Sequence, residues 1–346
     1  MQYDTDVFIV GGGPAGLAAA IAARRKGLRV VVADRAAPAI DKACGEGLMP
    51  DAVAALEELG VRLPADQSRP FHGIRFAGHG SSAEALLPGG WGLGIRRTVL
   101  HAAMVKAAEQ SGVELSWGTP VTSLEALVRR ARYIVGADGE NSLVRRWAGL
   151  DFRAHCAWRY GFRRHFHVQP WSDFVEVHWA DGCQIYITPV AADQVCVALL
   201  SQRPDFRLSE ALELFPEVAA RLRRAEVIGP ERGAVSASRR LRRVTAGPVA
   251  LIGDASGSVD AVTGEGMRLA FRQALALARG MKSGDLNQYQ RAYDGIRRKP
   301  AFMSEVLLML DRQDGLRRRV LSSFAAYPRA FSRLVAMHVG QGLTSA

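Results

Sequence analysis

The sequence predicts an α/β protein built on a parallel β-sheet. Three short glycine-containing turns, at residues 11–16, 136–139 and 253–254, support this prediction. Each turn follows an apolar run that is short enough for a buried strand. One such turn alone is a weak signal, but three in this order indicate one long ligand that is held at several points along its length.

The first turn lies inside a strand–turn–helix–strand unit. Residues 5–10 predict a buried strand, residues 17–26 a helix, and residues 28–33 a second strand. The intervening turn, residues 11–16, fits the pattern G-x-G-x-x-G. This unit is typical of dinucleotide binding.

Each glycine of this pattern has a physical role. Gly11 permits the tight turn, Gly13 lets the backbone approach a pyrophosphate, and Gly16 lets the helix pack close to the strand. The helix begins near Pro14 and Ala15, and its N-terminus offers unpaired N–H groups and partial positive charge to a phosphate.

The second strand is followed by an acidic residue at the position that recognises a ribose. Asp34 comes 18 residues after Gly16 and precedes Arg35, and its carboxylate can accept hydrogen bonds from a ribose hydroxyl. This unit alone does not separate NAD from FAD.

Length and composition exclude several classes of protein. The 346 residues can bury a substantial core and hold one large or two intimate domains, and contents of 48% apolar and 23% charged residues are ordinary for a globular protein. No apolar run approaches the ~18 residues that a membrane span needs, and no secretory signal precedes the first strand. The four cysteines are widely spaced, so we expect no metal site and a cytoplasmic, reducing compartment.

The net charge of +11 comes from arginine. Of the 45 basic residues only five are lysine, a skew that we interpret as compositional bias on a solvated surface. No nucleic-acid motif accompanies the basic pairs, so we expect no nucleic-acid partner. The charge leaves room for an anionic partner, either a peripheral membrane contact or an acidic carrier protein.

The rest of the chain divides into predicted helices and strands by its apolar pattern and turn residues. Helices are expected at 50–60, 98–111 and 209–224 and from 267 onward, and strands at 71–87, 113–117, 131–135, 174–179, 184–189, 194–200 and 248–252.

Motifs beyond the first turn resemble those of a known flavoprotein superfamily. Residues 136–146 (GADGENSLVRR) are similar to its D-G-x-x-S-x-V-R fingerprint, and residues 251–255 (LIGDA) to a third fingerprint in which the Asp meets the ribityl chain. Residues 95–100 resemble its R-x-x-L segment, whose Arg reaches the cofactor. The superfamily contains para-hydroxybenzoate-hydroxylase-type monooxygenases, geranylgeranyl-reductase-type enzymes and flavin halogenases. The resemblance covers nearly the whole chain and implies FAD as the cofactor.

The resemblance implies a division of the chain into three parts. A Rossmann-like FAD-binding domain of the glutathione-reductase type is discontinuous and comprises residues 1–70, 91–158 and 245–285. An antiparallel β-sheet substrate domain comprises 71–90 and 159–244, and a helical C-terminal segment comprises 286–346.

The turn motif and the resemblance together nominate the cofactor-binding residues. They are Gly11, Gly13, Pro14, Ala15, Gly16, Asp34, Arg35, Gly45, Gly47, Arg97, Val121, Asp138, Gly139, Arg145, Gly253, Asp254, Gly264, Glu265, Gly266 and Met267.

Two loops are most similar to the geranylgeranyl-reductase branch. They are residues 42–48 (KACGEGL) and 263–266 (TGEG), and in that branch both border the isoalloxazine ring. The string at 186–189 (YITP) is instead closer to a strand ending of the aromatic hydroxylases, and the reductase substrate motif Y-x-W-x-F-P has no clear match. The halogenase motif W-x-W-x-I-P has no match either. Cys44, Glu46 and Tyr186 are the candidate catalytic residues.

Three functions therefore stay open, in this order of preference. The first is a monooxygenase that uses NAD(P)H and a flavin hydroperoxide to hydroxylate an aromatic or polyketide-like molecule. The second is an ene-reductase that saturates C=C bonds of an isoprenoid or lipid, and the third is a non-catalytic flavin-binding module. Because no second G-x-G-x-x-G is present, NAD(P)H would bind only transiently. In either enzyme the partner is a hydrophobic small molecule.

Overall fold

The computed structural model describes residues 3–151 and 158–339. The segments 152–157 and 340–346, which the predicted domains include, lie outside the described residues.

The described chain contains sixteen strands and eleven α-helices, together with three short 3₁₀ turns. In chain order the strands are β1 (Thr5–Val10), β2 (Val30–Asp34), β3 (Gly47–Leu48), β4 (Ser68–Phe71), β5 (Gly73–Gly78), β6 (Ser81–Leu86), β7 (Gly92–Ile95), β8 (Glu114–Trp117), β9 (Ala131–Gly136), β10 (Trp158–His167), β11 (Phe174–Ala180), β12 (Cys183–Ala191), β13 (Gln194–Ser201), β14 (Glu226–Ala237), β15 (Thr245–Ala246) and β16 (Val249–Leu251). The helices are α1 (Pro14–Arg25), α2 (Pro50–Glu58), α3 (Arg97–Gln110), α4 (Leu124–Arg130), α5 (Leu143–Trp147), α6 (Leu208–Glu213), α7 (Pro216–Leu222), α8 (Gly266–Ser283), α9 (Leu286–Arg312), α10 (Asp314–Ala326) and α11 (Pro328–Val339). The 3₁₀ turns are Ala65–Gln67, Gly253–Ser256 and Ala261–Thr263.

A six-stranded sheet carries the three glycine-containing turns. Its strand order is β15-β16-β9-β1-β2-β8, and every pair is parallel except the short pair β15–β16. The central strands are apolar and buried on both faces, as parallel strands between helices must be. Helices α1, α3 and α8 pack together over it. Because β1, β9 and β16 are adjacent, their carboxyl ends bring the three turns together at one edge.

A seven-stranded sheet forms the second layer of the fold. Its order is β14-β10-β13-β12-β11-β5-β6, antiparallel throughout except for the pair β5–β11. One face carries apolar side chains such as Ile185 and Val197, and helices α6 and α7 cover it. The opposite face contacts the loops at 42–47 and 261–266, so it looks toward the parallel-sheet domain.

A small sheet joins the two layers. Its order is β3-β7-β4, and β3 is the end of the loop that contains Cys44 and Glu46. Gly94 in β7 lies so close to β12 that a Cβ there would stand 1.8 Å from the Pro189 carbonyl oxygen. Only glycine allows this approach, which fixes the loop against the seven-stranded sheet.

The helical C-terminal segment packs on the seven-stranded sheet. Phe331 and Val335 of α11 join a buried cluster with β5, β6 and β11, and Leu307 and Leu321 of α9 and α10 join another with Trp179. Within the described residues, none of the helices combines the length and the apolar character needed to cross a bilayer.

The mixed α/β fold confirms the predicted class, but one predicted element is wrong. The helix expected over 209–224 is two helices, α6 and α7, separated at Leu214 and Phe215. Pro216 lacks an N–H group and disfavours helical geometry at the residue before it, and Phe215 accordingly has φ −127° and ψ 69°.

Candidate cofactor and active site

Two glycines of the first turn are required by protein packing. Gly11 has φ +109°, and a Cβ there would lie 2.4 Å from the Ala137 carbonyl oxygen. A Cβ on Gly16 would lie 1.8 Å from the Gly11 carbonyl oxygen. Side chains at these positions would therefore push α1 away from β1 and β9.

Gly13 is different, because its missing side chain faces open space. A Cβ at Gly13 would meet no heavy atom within 4 Å. Helix α1 begins at the next residue, and among the described residues no side chain caps it and no acidic residue lies in its first turn. The first N–H groups of a helix have no partner within the helix. Bare backbone at Gly13 and the N–H groups of the first turn, apart from Pro14, which has none, fit a pyrophosphate.

The carboxylate of Asp34 lies beside this turn. Its Oδ2 accepts a hydrogen bond from Gly12 N at 2.7 Å, and its Oδ1 accepts one from Ala36 N at 2.8 Å. Asp34 therefore holds the glycine turn in addition to its predicted contact with a ribose. Arg35 follows it and is exposed.

Two residues that the sequence did not single out complete this corner. The Trp117 ring lies where a side chain on Gly12 would otherwise stand, and His101 Nε2 is 2.9 Å from the Gly12 carbonyl oxygen. Burial lowers the pKa of His101, so the ring is neutral and its Nε2–H donates to that carbonyl. No local sequence pattern could have identified these two residues, because α3 and β8 approach the turn only in the folded chain.

The second fingerprint acts through a helix cap. Asp138 Oδ2 accepts hydrogen bonds from Leu143 N at 2.7 Å and Val144 N at 3.2 Å, and Oδ1 accepts one from the Ser142 hydroxyl at 2.5 Å. The adjacent Gly139 has φ +79° and faces open space. Asp138 thus fixes the start of α5, which positions Arg145.

Arg145 ties the second fingerprint to the third. It is buried, and it donates to the carbonyl oxygens of Glu140 at 2.7 Å and Ala255 at 3.1 Å and to Asp151 Oδ1 at 3.0 Å. These contacts orient the turn that contains Asp254, so its geometry favours a positioning role over a direct cofactor contact.

The third fingerprint presents an ionised carboxylate. Gly253 has φ +58° and donates its N–H to Gln273 Oε1 at 2.7 Å. Asp254 follows it in the 3₁₀ turn after β16 and is partly buried. Burial alone would raise the pKa of Asp254, but the charges of Lys42, Arg97 and Arg145 hold it below its usual value. Lys42 Nζ lies 3.0 Å from Asp254 Oδ2.

Arg97 provides an unpaired donor between these elements. Its Nε is buried and has no hydrogen-bond partner among the described residues. Its charge lowers the pKa values of both His101 and Asp254, which places it between the first and third turns. An orphaned buried donor at this point fits a polar ligand. Nearby, Val121 is partly buried against the core of the parallel-sheet domain.

The loop at residues 42–47 is pinned to the seven-stranded sheet. The Thr188 hydroxyl donates to the Gly45 carbonyl oxygen at 2.7 Å, and Cys196 Sγ lies 3.7 Å from the Cys44 carbonyl oxygen. A Cβ on Gly45 would meet nothing within 4 Å, whereas one on Gly47 would be in ordinary contact with Thr188. The loop therefore shows bare backbone at Gly45 to open space.

Cys44 is the most accessible cysteine in the described part of the chain. It is half-buried, while Cys183 and Cys196 are buried, and Cys156 lies outside the described residues. Burial raises the pKa of the Cys183 thiol to about 11 and that of Cys196 well above its usual value, so both stay protonated.

Glu46 is bound at both carboxylate oxygens. Oε1 accepts a hydrogen bond from Arg97 N at 2.8 Å, and Oε2 lies 2.6 Å from His165 Nε2. Arg163 stands beside this pair, with NH1 3.7 Å from Glu46 Oε1, and donates to Asp41 Oδ1 at 2.5 Å. Predicted as catalytic, Glu46 is thus a buried clamp that holds the loop to β10, and its backbone φ is +58°.

This cluster also has the composition of a metal site. The ligand atoms of Glu46, His165 and Cys196 lie within 4.8 Å of one another. However, the Arg163 guanidinium donates into the same cluster at 2.9 Å from His165 Nδ1. A cation there would face a fixed positive charge, so the geometry favours a hydrogen-bonded cluster over metal binding.

The loop at 263–266 is the counterpart of the Cys44 loop. Gly264 has φ +67°, and Cβ atoms on Gly264 or Gly266 would meet nothing within 4 Å. Glu265 is buried, and burial raises its pKa to about 7 although the charge of Arg268 opposes the shift. Met267 is the second residue of α8 and packs against the core.

Tyr186 connects the seven-stranded sheet to this loop. Its hydroxyl is within donating distance of Gln184 Oε1, at 2.7 Å, and of the Val262 carbonyl oxygen, at 3.0 Å. Burial raises the pKa of the Tyr186 hydroxyl, so it stays protonated. These contacts favour a positioning role for Tyr186.

The residues present fit FAD. The bare backbone at Gly13, Gly45, Gly264 and Gly266 faces open space, and the Arg97 Nε and the Asp254 carboxylate supply a polar donor and an acceptor. These features suit a pyrophosphate at the first turn and a flat ring at the two loops. Together the fold and the site define an FAD-dependent oxidoreductase.

The family assignment follows from sequence. Residues 4–283 match the family described as "FAD binding domain", and the chain belongs to that family. The predicted superfamily is thereby confirmed, and so is FAD as the cofactor.

Curated relatives of the chain are reductases. It is 29% identical over 330 residues to a menaquinone reductase of Mycolicibacterium smegmatis, covering 85% of this chain and 80% of the relative. It is 26% identical over 297 residues to a digeranylgeranylglycerophospholipid reductase of Methanocella arvoryzae, covering 77% and 74% of the two chains.

Solved structures share the fold. A flavoprotein/dehydrogenase from Cytophaga hutchinsonii superposes with a TM-score of 0.80 at 17% identity, over 96% of this chain and 92% of that one.

Proposed function

We propose that this protein is a flavin ene-reductase that saturates C=C bonds of an isoprenoid or other lipid-like substrate. Hydroxylation, the first choice from sequence alone, becomes the alternative. The support is twofold. Curated relatives of the chain include reductases named for menaquinone and for a digeranylgeranylglycerophospholipid, and the Cys44 loop is held against the seven-stranded sheet.

The observation that carries the proposal is the position of Cys44. Saturating one C=C bond takes two electrons and two protons, which add one hydrogen to each carbon. When bound and reduced, FAD supplies the electrons and the first of these hydrogens. The second carbon needs a proton from an acid, and the half-buried Cys44 thiol lies on the loop predicted to border the ring.

The surrounding residues hold that thiol in place. Glu46 and His165 clamp the loop to β10, and Thr188 binds its backbone at Gly45. Because these contacts come from the seven-stranded sheet, they also set the gap in which an extended apolar substrate would lie.

The string that favoured hydroxylation has a packing explanation. The Tyr186 hydroxyl contacts the Val262 carbonyl, the Thr188 hydroxyl binds the Gly45 carbonyl, and the Pro189 carbonyl lies against Gly94. A strand ending of this kind supports the two cleft loops in either class of enzyme, so it no longer separates the two reactions.

The remaining parts of the proposal concern partners. We propose NAD(P)H as the transient electron donor, a hydrophobic small molecule as substrate, no nucleic-acid partner, and a cytoplasmic location. The domain boundaries likewise stay predictions. They are 1–70, 91–158 and 245–285 for the FAD-binding domain, 71–90 and 159–244 for the substrate domain, and 286–346 for the C-terminal segment.

The experiment is a product analysis by mass spectrometry. Purified holoprotein is incubated with NADPH, or with dithionite as an artificial donor, and with a menaquinone or geranylgeranyl lipid. We expect products that keep two extra hydrogens per reduced C=C bond after any quinone ring has been reoxidised in air, and a large loss of turnover in Cys44→Ala with FAD still bound. Products that gain one oxygen atom, with oxygen consumed, would establish the hydroxylase instead. A folded holoprotein that reacts with neither substrate class under either donor contradicts the proposal.

A further inference from the structure

The three C-terminal helices enclose an apolar pocket at the surface. It has a volume of about 330 Å³, and its lining includes Val306 of α9, Val320 and Phe324 of α10, and Leu334 of α11. We call it the C-terminal pocket. None of its lining residues is among the candidate cofactor-binding or catalytic residues.

Large exposed apolar side chains surround this pocket. Met309 lines it directly and is 45% exposed. Phe302, 64% exposed, precedes the lining residue Val306 by four positions on α9. Tyr327, 70% exposed, follows Phe324 by three, and Met337, 60% exposed, follows Leu334 by three. Side chains three or four positions apart share a helix face, so Phe302, Met309 and Met337 lie on the faces of α9 and α11 that line the pocket. Tyr327 directly follows the last residue of α10.

Arginines alternate with these apolar side chains. Arg319 lines the pocket, and Arg298, Arg312 and Arg333 each lie three or four positions from Phe302, Met309 or Met337 on the same helices. Within the part of the chain that the structure describes, none of the four forms an ion pair, and all are exposed.

The whole segment is strongly cationic. Residues 286–339 contain ten Lys or Arg and four Asp or Glu, a formal excess of six positive charges out of the net +11 of the chain. A partner that complements this apolar surface and its arginines would have an apolar interior and a negatively charged surface.

We propose that the C-terminal pocket and its rim dock the protein onto an anionic lipid bilayer. Phe302, Met309, Tyr327 and Met337 enter the boundary between headgroups and acyl chains, and the arginines contact the anionic headgroups. Apolar side chains and Lys/Arg on one surface are the combination that binds such membranes. An acidic carrier protein would pair with the arginines but would not by its charge account for the exposed apolar side chains. An anionic bilayer accounts for both features. The inference does not depend on the proposed reaction.

The test is co-sedimentation of the holoprotein with lipid vesicles. We expect binding to vesicles of phosphatidylcholine with phosphatidylglycerol and much weaker binding to pure phosphatidylcholine. Arg319→Glu/Arg333→Glu should weaken binding at least about tenfold, because each basic residue near the surface contributes to the attraction. Phe302→Ser/Met309→Ser should weaken it about tenfold at unchanged charge.

The matched control reverses two charges elsewhere. Arg223→Glu/Arg224→Glu makes the same change in net charge just after α7, on the side of the seven-stranded sheet that α6 and α7 cover. This variant should bind as the wild type does, and thermal unfolding and FAD content confirm that all variants fold. The proposal would be overturned if the control variant lost as much binding as the test variants, or if binding were the same with and without anionic lipid. It would also be overturned if the protein did not bind vesicles but bound an acidic carrier protein through these arginines.

Discussion

Gly13→Ala should separate cofactor binding from folding. A Cβ at Gly13 would meet no heavy atom within 4 Å, and the residue has φ −70° and ψ 176°, a conformation open to alanine. The substitution should therefore leave the stability of the FAD-free protein unchanged or raise it by up to about 1 kcal/mol. A methyl group between the turn and a pyrophosphate displaces at least one charge-assisted hydrogen bond, which contributes about 1.5–3 kcal/mol. FAD affinity should fall by about 10- to 100-fold.

The assay combines FAD titration by flavin fluorescence with thermal unfolding of the FAD-free protein. Gly16→Ala is the contrasting variant, since its Cβ would lie 1.8 Å from the Gly11 carbonyl oxygen. It should lose stability even without FAD. A Gly13→Ala protein that binds FAD with wild-type affinity would refute the placement of the pyrophosphate at this turn.

Three further variants test individual contacts. Lys42→Met removes the positive charge that lies 3.0 Å from Asp254 and that lowers the pKa of Asp254 in the wild type. In the variant this pKa should rise, so FAD release on acidification should begin at a higher pH. An unchanged pH dependence of FAD release would contradict this. Burial raises the pKa of Glu265 to about 7, so between about pH 4.5 and 7 the folded state binds more protons than the unfolded state. The free energy of unfolding should therefore fall by up to about 3 kcal/mol as the pH rises through that window. Denaturant unfolding should show this pH dependence in the wild type and not in Glu265→Gln. Tyr186→Phe should cost about 1 kcal/mol of stability by losing its contact with the loop and leave turnover within about twofold, whereas a collapse of turnover in a folded, FAD-loaded protein would assign Tyr186 a chemical role.

Local motifs made the cofactor half of the molecule predictable. The geometry of a glycine turn is a property of six consecutive residues, and the structure gives Gly11 and Gly16 the close approaches that their positions in the pattern require. Apolar runs before each turn became β1, β9 and β16 because a parallel strand buried on both faces leaves a continuous apolar signature.

Contacts between distant segments could not be predicted in this way. Glu46 and His165 are 119 positions apart, and nothing local to either indicates that their side chains meet at 2.6 Å. The same holds for His101 at the Gly12 carbonyl. Asp138 and Arg145 are part of a fingerprint, but only the structure distinguishes side chains that position a turn from side chains that face the cleft.

Exposed elements were the least visible in sequence. Strand β14, Glu226–Ala237, is an edge strand that is mostly exposed, and Gly229 and Pro230 interrupt it, so it has neither alternation nor an apolar run. Helix α9 continues through Pro300, which a sequence pattern would treat as an end. Pro216, in contrast to Pro300, does interrupt a helix, since residues 209–224 divide into two helices there.

The most direct test of the central claim is an anaerobic single turnover. The holoprotein is reduced with one equivalent of dithionite and mixed, without oxygen, with a menaquinone or geranylgeranyl lipid while flavin absorbance is followed. An ene-reductase predicts that the substrate itself reoxidises the flavin and gains two hydrogens that remain in its isoprenoid chain after any quinone ring has been reoxidised. It also predicts that Cys44→Ala slows this step without loss of bound FAD. A flavin that stays reduced with each substrate until oxygen is admitted, and then yields a product with an added oxygen atom, would contradict the account.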